Sequence, residues 1–265
     1  MSNIPIGVFD SGIGGLTVAG EIMKLLPGEN IVYFGDTARV PYGSKSPEAI
    51  TQFAFEGLKF LLSQDVKLIV IACNTVSATC LEELAASTRV PVLGVIEPGA
   101  RAAVNATRNH RVGVIGTERT TKSRAYERAI NALNESISIY SKACPLFVPL
   151  VEEGWLENEA ALITAKIYLE PLKGQGIDTL VLACTHYPLL KPAIGQIMGR
   201  GVRLVDSAEE TAKEVWQILN GGNLLRKANA PASYRYFVSD DPEKFVRVGE
   251  KFLKRSIEPI SVIES

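Results

Sequence analysis

The chain has 265 residues, 46% of them hydrophobic and 22% charged, with a net charge of −1. That is the composition of an ordinary globular protein, long enough to bury a core without disulfides or metals. So even a charge balance gives no field to draw nucleic acid or an anionic membrane, and neither is expected as a partner.

The longest apolar runs, such as LIVIAC, are too short to cross a bilayer. The opening MSNIPIGVFD lacks the basic and long apolar regions of a secretory signal. A cytoplasmic protein with its four cysteines reduced is therefore expected. Apolar, β-branched runs then alternate with amphipathic stretches. Strands are predicted at 5–9, 30–34, 67–72, 91–96, 111–115, 145–150, 178–183 and 202–205. Their nearly continuous apolar character predicts parallel strands covered by helices on both faces. Helices are predicted between them, for example over 47–63 and 156–173. The first of these has Pro47 at its opening position and Ser46 as its N-cap. A tail follows: a helix over 208–219, a Gly221-Gly222 break, a strand over 234–238, a helix over 241–254 and an apolar run over 257–263.

Part of this pattern repeats. LIVIACNT at 68–75 and TLVLACTH at 179–186 both end an apolar run in Ala-Cys followed by two polar residues. Gly7-Val8-Phe9 matches Gly113-Val114-Ile115, Val95 matches Val205, and strand 30–34 pairs with 145–150 at a similar offset. The repeat predicts two related α/β units of four strands each, with the tail free to pack on either. In open α/β sheets, ligands sit beyond the carboxyl ends of the strands, so the residues there are the ones to read.

After the first strand comes Asp10-Ser11-Gly12-Ile13-Gly14-Gly15. The third glycine of a dinucleotide fingerprint would fall at 17, which is Thr17, so no nucleotide cofactor is expected. A glycine-rich turn into a helix still offers backbone N–H groups to a carboxylate. Asp10 alone reads equally well as a turn residue. The second strand is followed by Asp36-Thr37 and a loop holding Pro41, Tyr42 and Gly43, which alone reads as a connection of turn residues and by its length and place could also cover a substrate. Thr117, Thr120 and Thr121 follow the fifth strand, and Glu152 and Glu153 follow the sixth. The threonines could cap a helix, and acids are common in a first helical turn.

Cys73-Asn74-Thr75 and Cys184-Thr185-His186 stand at equivalent strand ends. A lone cysteine there is usually a small buried residue, but two in equivalent polar settings point to chemistry. Cys80 and Cys144 do not stand in such a strand-end setting and read as structural, and His110 is given no role. No C-x-x-C supports a disulfide redox pair. A zinc site on Cys73, Cys184 and His186 would not have standard ligand spacing, so no metal is expected. Two thiols facing one carbon from opposite sides suit a racemase, in which one group removes a proton and the other returns one. A free thiol with pKa about 8.5 is a weak base at neutral pH. Bringing it to about 7 takes roughly 2 kcal/mol of preferential thiolate stabilisation. His186, the threonine hydroxyls and strand-end N–H groups are the candidates for that role.

DSGIGGLTV at 10–18, GDTARVPYGSKS at 35–46, ACNTVSA at 72–78, FVPLVEEG at 147–154 and ACTHYPLL at 183–190 together resemble the glutamate racemase family. The resemblance implies two pseudo-symmetric α/β domains, 1–97 plus 208–265 and 98–207, with mainly parallel sheets and the active site in the cleft between them. It implies interconversion of L- and D-glutamate without a cofactor, in support of peptidoglycan synthesis, by an enzyme that is commonly a homodimer. Cys73 would act on D-glutamate and Cys184 on L-glutamate, with Asp10, Glu152 and His186 assisting. Asp10, Ser11, Pro41, Tyr42, Gly43, Asn74, Thr75, Thr117, Thr120, Thr121, Thr185 and His186 would bind substrate. A racemase for aspartate, or an amino-acid binding module without catalysis, are the alternatives.

Overall fold

The computed structural model describes residues 3–227 and 230–263. In chain order the elements are β1 (Ile6–Asp10), α1 (Leu16–Leu25), β2 (Ile31–Gly35), α2 (Pro47–Ser63), β3 (Leu68–Ile71), α3 (Asn74–Ala86), β4 (Val92–Gly94), α4 (Ile96–Ala106), β5 (Arg111–Gly116), α5 (Glu118–Ser123), α6 (Ala125–Leu133), β6 (Ser138–Ala143), α7 (Phe147–Glu152), α8 (Glu159–Lys173), β7 (Thr179–Ala183), α9 (Lys191–Met198), β8 (Arg203–Asp206), α10 (Ala208–Gly221), β9 (Tyr234–Val238), α11 (Pro242–Leu253) and β10 (Ile260–Val262). They form two sheets, ordered β10-β9-β2-β1-β3-β4 and β6-β5-β7-β8, with every pairing parallel. The order β2-β1-β3-β4 recurs as β6-β5-β7-β8, so the repeat read from the chain has a topological counterpart.

The central strands of each sheet are buried on both faces, as apolar runs without alternation require. In β1 and β3, Ile6, Val8, Leu68 and Val70 face a core shared with α1, α10 and α11. Phe9, Ile69 and Ile71 face the opposite core with α2 and α3. Two further cores flank the second sheet in the same way. Helix α2 starts as predicted: Ser46 Oγ accepts the N–H of Ala49, with Pro47 following. Helix α8 starts later than predicted, at Glu159, where the Asn158 side chain accepts the Ala161 N–H. Strand β4 is shorter than predicted and ends at Gly94.

One predicted strand is wrong. Residues 145–150 are not a strand; Phe147–Glu152 is helical, and the strand beside β5 is Ser138–Ala143. Phe147, Val148 and Val151 are buried at helical spacing. Pro149 sits in the first turn, where no N–H is needed. β6 was unreadable because it is a half-exposed edge strand of mostly polar residues. The counterpart of β2 is therefore β6.

The tail crosses back: α10 and α11 pack on α1, and β9 joins β2 with β10 outside it. Lys67 and Glu29 pin the crossing. Their side chains are 3% exposed and 2.5 Å apart, and they also bind Leu224 O and the Arg226 N–H of the tail.

Candidate active site

The two cysteines arrive by equivalent routes. Cys73 follows β3 and caps α3; Cys184 follows β7 and precedes a 3-10 turn over Tyr187–Leu190. Both line one small cavity between the sheets. Ser11, Pro41, Tyr42, Gly43, Asn74, Thr75, Thr117, Thr185 and His186 line it with them, as do Val40 and Val148. The cavity measures about 20 Å³, room for about one water molecule and far less than an amino acid needs. Ligand binding at this place requires the walls to part.

Glycines make the closure possible. A Cβ on Gly14 would meet Thr185 Oγ1 and lie 2.5 Å from His186 Nδ1. One on Gly43 would lie 2.5 Å from Thr117 Cβ. Two loops of the first sheet therefore touch two strand-end segments of the second, and any side chain there would hold them apart.

The two thiols have different surroundings. Cys73 Sγ lies 3.3 Å from Ser11 Oγ. Burial pushes its pKa up to about 12, and the Asp10 carboxylate adds to the rise; Ser11 and the Val76 N–H oppose it. Cys73 is accordingly held as a thiol. Cys184 stands beside His186. Burial works against a charged imidazole, yet hydrogen bonds to Cys184 and Glu152 raise the His186 pKa to about 10. His186 Nε2 is 3.3 Å from Glu152 Oε1. A carboxylate only accepts, so Nε2 carries the proton. Burial opposes the Glu152 charge, but His186 and Lys244 outweigh it and lower the Glu152 pKa to about 2.

Asp10 is fully buried beneath the cavity, accepting from the Gly12 N–H at 3.0 Å and the Thr185 hydroxyl at 3.4 Å. Burial raises its pKa and the charge of His186 opposes the rise. Thr75, Thr117 and Thr120 form a hydroxyl cluster with separations of 3.0 to 3.4 Å. Thr120 thus stands behind the wall. Thr121 is not brought in; its hydroxyl donates within α5 to Thr117 O and Glu118 O. Glu153 caps the C-terminus of α7 and does not line the cavity.

Sequence reasoning missed several contributors. Tyr126 donates to Asn74 Oδ1 at 2.7 Å. Tyr42 donates to the buried Asp36, whose other oxygen accepts from Ser239 at 2.8 Å, so the tail braces the loop carrying Tyr42. Lys244, also from the tail, reaches Glu152 Oε2 at 2.9 Å. Asp36 lay inside a quoted motif; Tyr126 and Lys244 carried no signal. Among the described residues, no group of three or more His, Cys, Asp or Glu is placed to hold a metal ion. No described helix is long and apolar enough to cross a membrane.

Comparison with known proteins adds to the geometry. Residues 17–215 match the family described as Asp/Glu/Hydantoin racemase. A curated glutamate racemase of Geobacter metallireducens is 58% identical over 248 residues, 94% of this chain and 92% of that protein. The crystal structure of glutamate racemase from Francisella tularensis in complex with D-glutamate superposes with a TM-score of 0.94 at 41% identity, over 100% of this chain and 98% of that one. A glutamate racemase isoform from Bacillus anthracis gives 0.96 at 40% identity, with the same coverage.

Proposed function

The chain belongs to the Asp/Glu/Hydantoin racemase family and is an amino-acid racemase, and we propose that it interconverts L- and D-glutamate by transferring the α-proton between Cys184 and Cys73. The observation that carries this reading is that both strand-end thiols line one cavity from different sheets. Glutamate as substrate rests on the relatives, including the one crystallised with D-glutamate.

The chemistry asks for one thiolate and one thiol at a time. Cys73, raised by burial and Asp10, begins as the thiol. Cys184, which lines the same cavity wall as His186, is the base that acts on L-glutamate. It takes the α-proton of L-glutamate, and the Cys73 S–H then delivers a proton to the opposite face in a second step, leaving Cys184 as thiol and Cys73 as thiolate. In that state Cys73 draws on the Ser11 hydroxyl and the α3 N-terminus. The threonine cluster and the Asn74 side chain offer hydrogen bonds to the substrate carboxylates, where charge builds in the transition state. The division into 1–97 plus 208–265 and 98–207 belongs to this reading, as do a cytoplasmic homodimer and a role in supplying D-glutamate for peptidoglycan.

The test is purified protein with L-glutamate in D₂O, without added cofactor. Loss of optical rotation with deuterium at the α-carbon is expected. Turnover of aspartate with none of glutamate would move the substrate, and silence with both would overturn the reading.

A further inference from the structure

Helix α11 lies in the tail, outside the repeated strands, yet its Lys244 reaches a support on the Cys184 side. Lys244 Nζ is 2.9 Å from Glu152 Oε2, while Glu152 Oε1 is 3.3 Å from His186 Nε2. The carboxylate is held at both oxygens, one by the tail and one by the imidazole. Glu152 needs such a hold, because it is the last residue of α7, and a helix C-terminus disfavours a negative charge. The pair is also not an ordinary surface contact. Its side chains are 31% and 13% exposed, against 77% and 33% for Lys24 and Glu21. Lys244 is anchored as well: Asp241 accepts its backbone N–H at 2.9 Å, and the adjoining Phe245 is buried in the first core.

We infer that Lys244 is a positioning residue for racemisation: it aims the Glu152 carboxylate so that Oε1 accepts from His186 Nε2 and keeps the imidazole in the cavity wall that Cys184 shares. It touches neither thiol, and Cys73 has no equivalent brace from α11. The kinetic part of this inference rests on the racemase reading above; the spectroscopic part does not.

Lys244→Met is expected to lower kcat/KM about tenfold, the size of one lost charge-assisted hydrogen bond in a partly buried site. The fall must be equal in both directions, because enantiomers have equal free energies. The asymmetry appears in isotope effects. Slowing of the Cys184 step raises the effect of α-deuterium on L-glutamate and lowers it on D-glutamate. Lys244→Arg recovers most of the loss, and Lys244→Met adds nothing in a Glu152→Gln background. Apart from activity, the His186 ring N–H exchanges faster with solvent in Lys244→Met, with His110, the other of two histidines, as control. Lys244→Gln keeps a donor and replaces the Met variant should that not fold. The assignment is overturned by a kcat/KM within twofold of wild type, by an independent loss in the Glu152→Gln background, or by unchanged His186 exchange. If wild type itself does not racemise glutamate, the substrate reading falls and the exchange measurement still decides the role of Lys244.

Discussion

Gly14→Ala isolates the contact between the two halves of the site. The added Cβ would stand 2.5 Å from His186 Nδ1 and 2.8 Å from Cε1, against 3.4 Å for the start of ordinary contact. The imidazole or the glycine loop must therefore shift by nearly 1 Å. Gly14 is not among the residues with positive φ, so the new side chain meets no backbone strain of its own. A displacement of about 1 Å at a positioned group costs about 10²-fold in rate, equivalent to about 2.7 kcal/mol of barrier. Overpacking of this kind also costs about 1–3 kcal/mol of stability, or a Tm lower by roughly 2–10 °C for a chain this long. The assay is kcat/KM for glutamate by circular dichroism at 25 °C, beside a thermal melt. Gly28→Ala is the control, since nothing lies within 4 Å of a Cβ there. Activity within threefold of wild type and an unchanged Tm in Gly14→Ala would refute the argument, because the two loops would then have room that the contact distances deny.

Cys73→Ser and Cys184→Ser should each lower racemisation by about 10²–10⁴-fold, the range for losing a positioned acid–base group. Cys80→Ser and Cys144→Ser should keep activity while costing about 1–3 kcal/mol of stability for a poorly satisfied buried hydroxyl; chemical denaturation separates the two effects. Glu152 and His186 predict a pH window for stability. The Glu152 pKa is lowered to about 2 from 4.5, so its contribution is present above about 4.5 and fades as pH falls towards 2. The His186 pKa is raised to about 10 from 6.5, so its contribution is present below 6.5 and fades as pH rises through 10. Thermal melts from pH 5 to 3 should fall less steeply in Glu152→Gln than in wild type, and equal slopes would contradict the ion pair. Lys67→Met should destabilise by about 3–5 kcal/mol, because it leaves the buried Glu29 charge unpaired; a urea midpoint near wild type would remove the pair from the account of how the tail is held.

The strand ends were legible because a fully buried parallel strand is written in one unbroken apolar run. β1, β3, β5 and β7 each show that run, and the polar residues after it fell where the cavity is. β6 was not legible, since an edge strand half open to solvent carries Ser, Tyr and Lys among its few apolar residues. The misplacement of 145–150 had a consequence for Glu152. Read as following a strand, it looked like the start of a helix, where acids are favoured; it is the end of one, where they are not. Its ion partners then become the question, and Lys244 lies 92 residues away. No local pattern encodes a contact of that range. The closed cavity was equally invisible: Gly14 and Gly43 mark it only once their neighbours across the cleft are known.

The two halves repeat, but the tail does not, and this difference bears on what asymmetry can do in such an enzyme. Between enantiomers the equilibrium constant is one, so no arrangement of residues around Cys73 or Cys184 can favour one product at equilibrium. On the two-thiol reading, asymmetry can only set which thiol holds the proton at rest and which transfer is slow. Cys73 is surrounded by groups of the first sheet: Asp10, Ser11 and the α3 N-terminus. Cys184 is joined through His186 and Glu152 to Lys244 of the tail. The tail also braces the Tyr42 loop through Ser239 and Asp36. One segment, anchored in the first core by Phe245, thus touches supports on both sides of the cavity. Parting the walls to admit an amino acid changes the contact of Gly14 with His186 and of Gly43 with Thr117 together. Proton placement and access to the cavity are therefore expected to move as one process, with kcat and KM changing jointly when any of these contacts is altered.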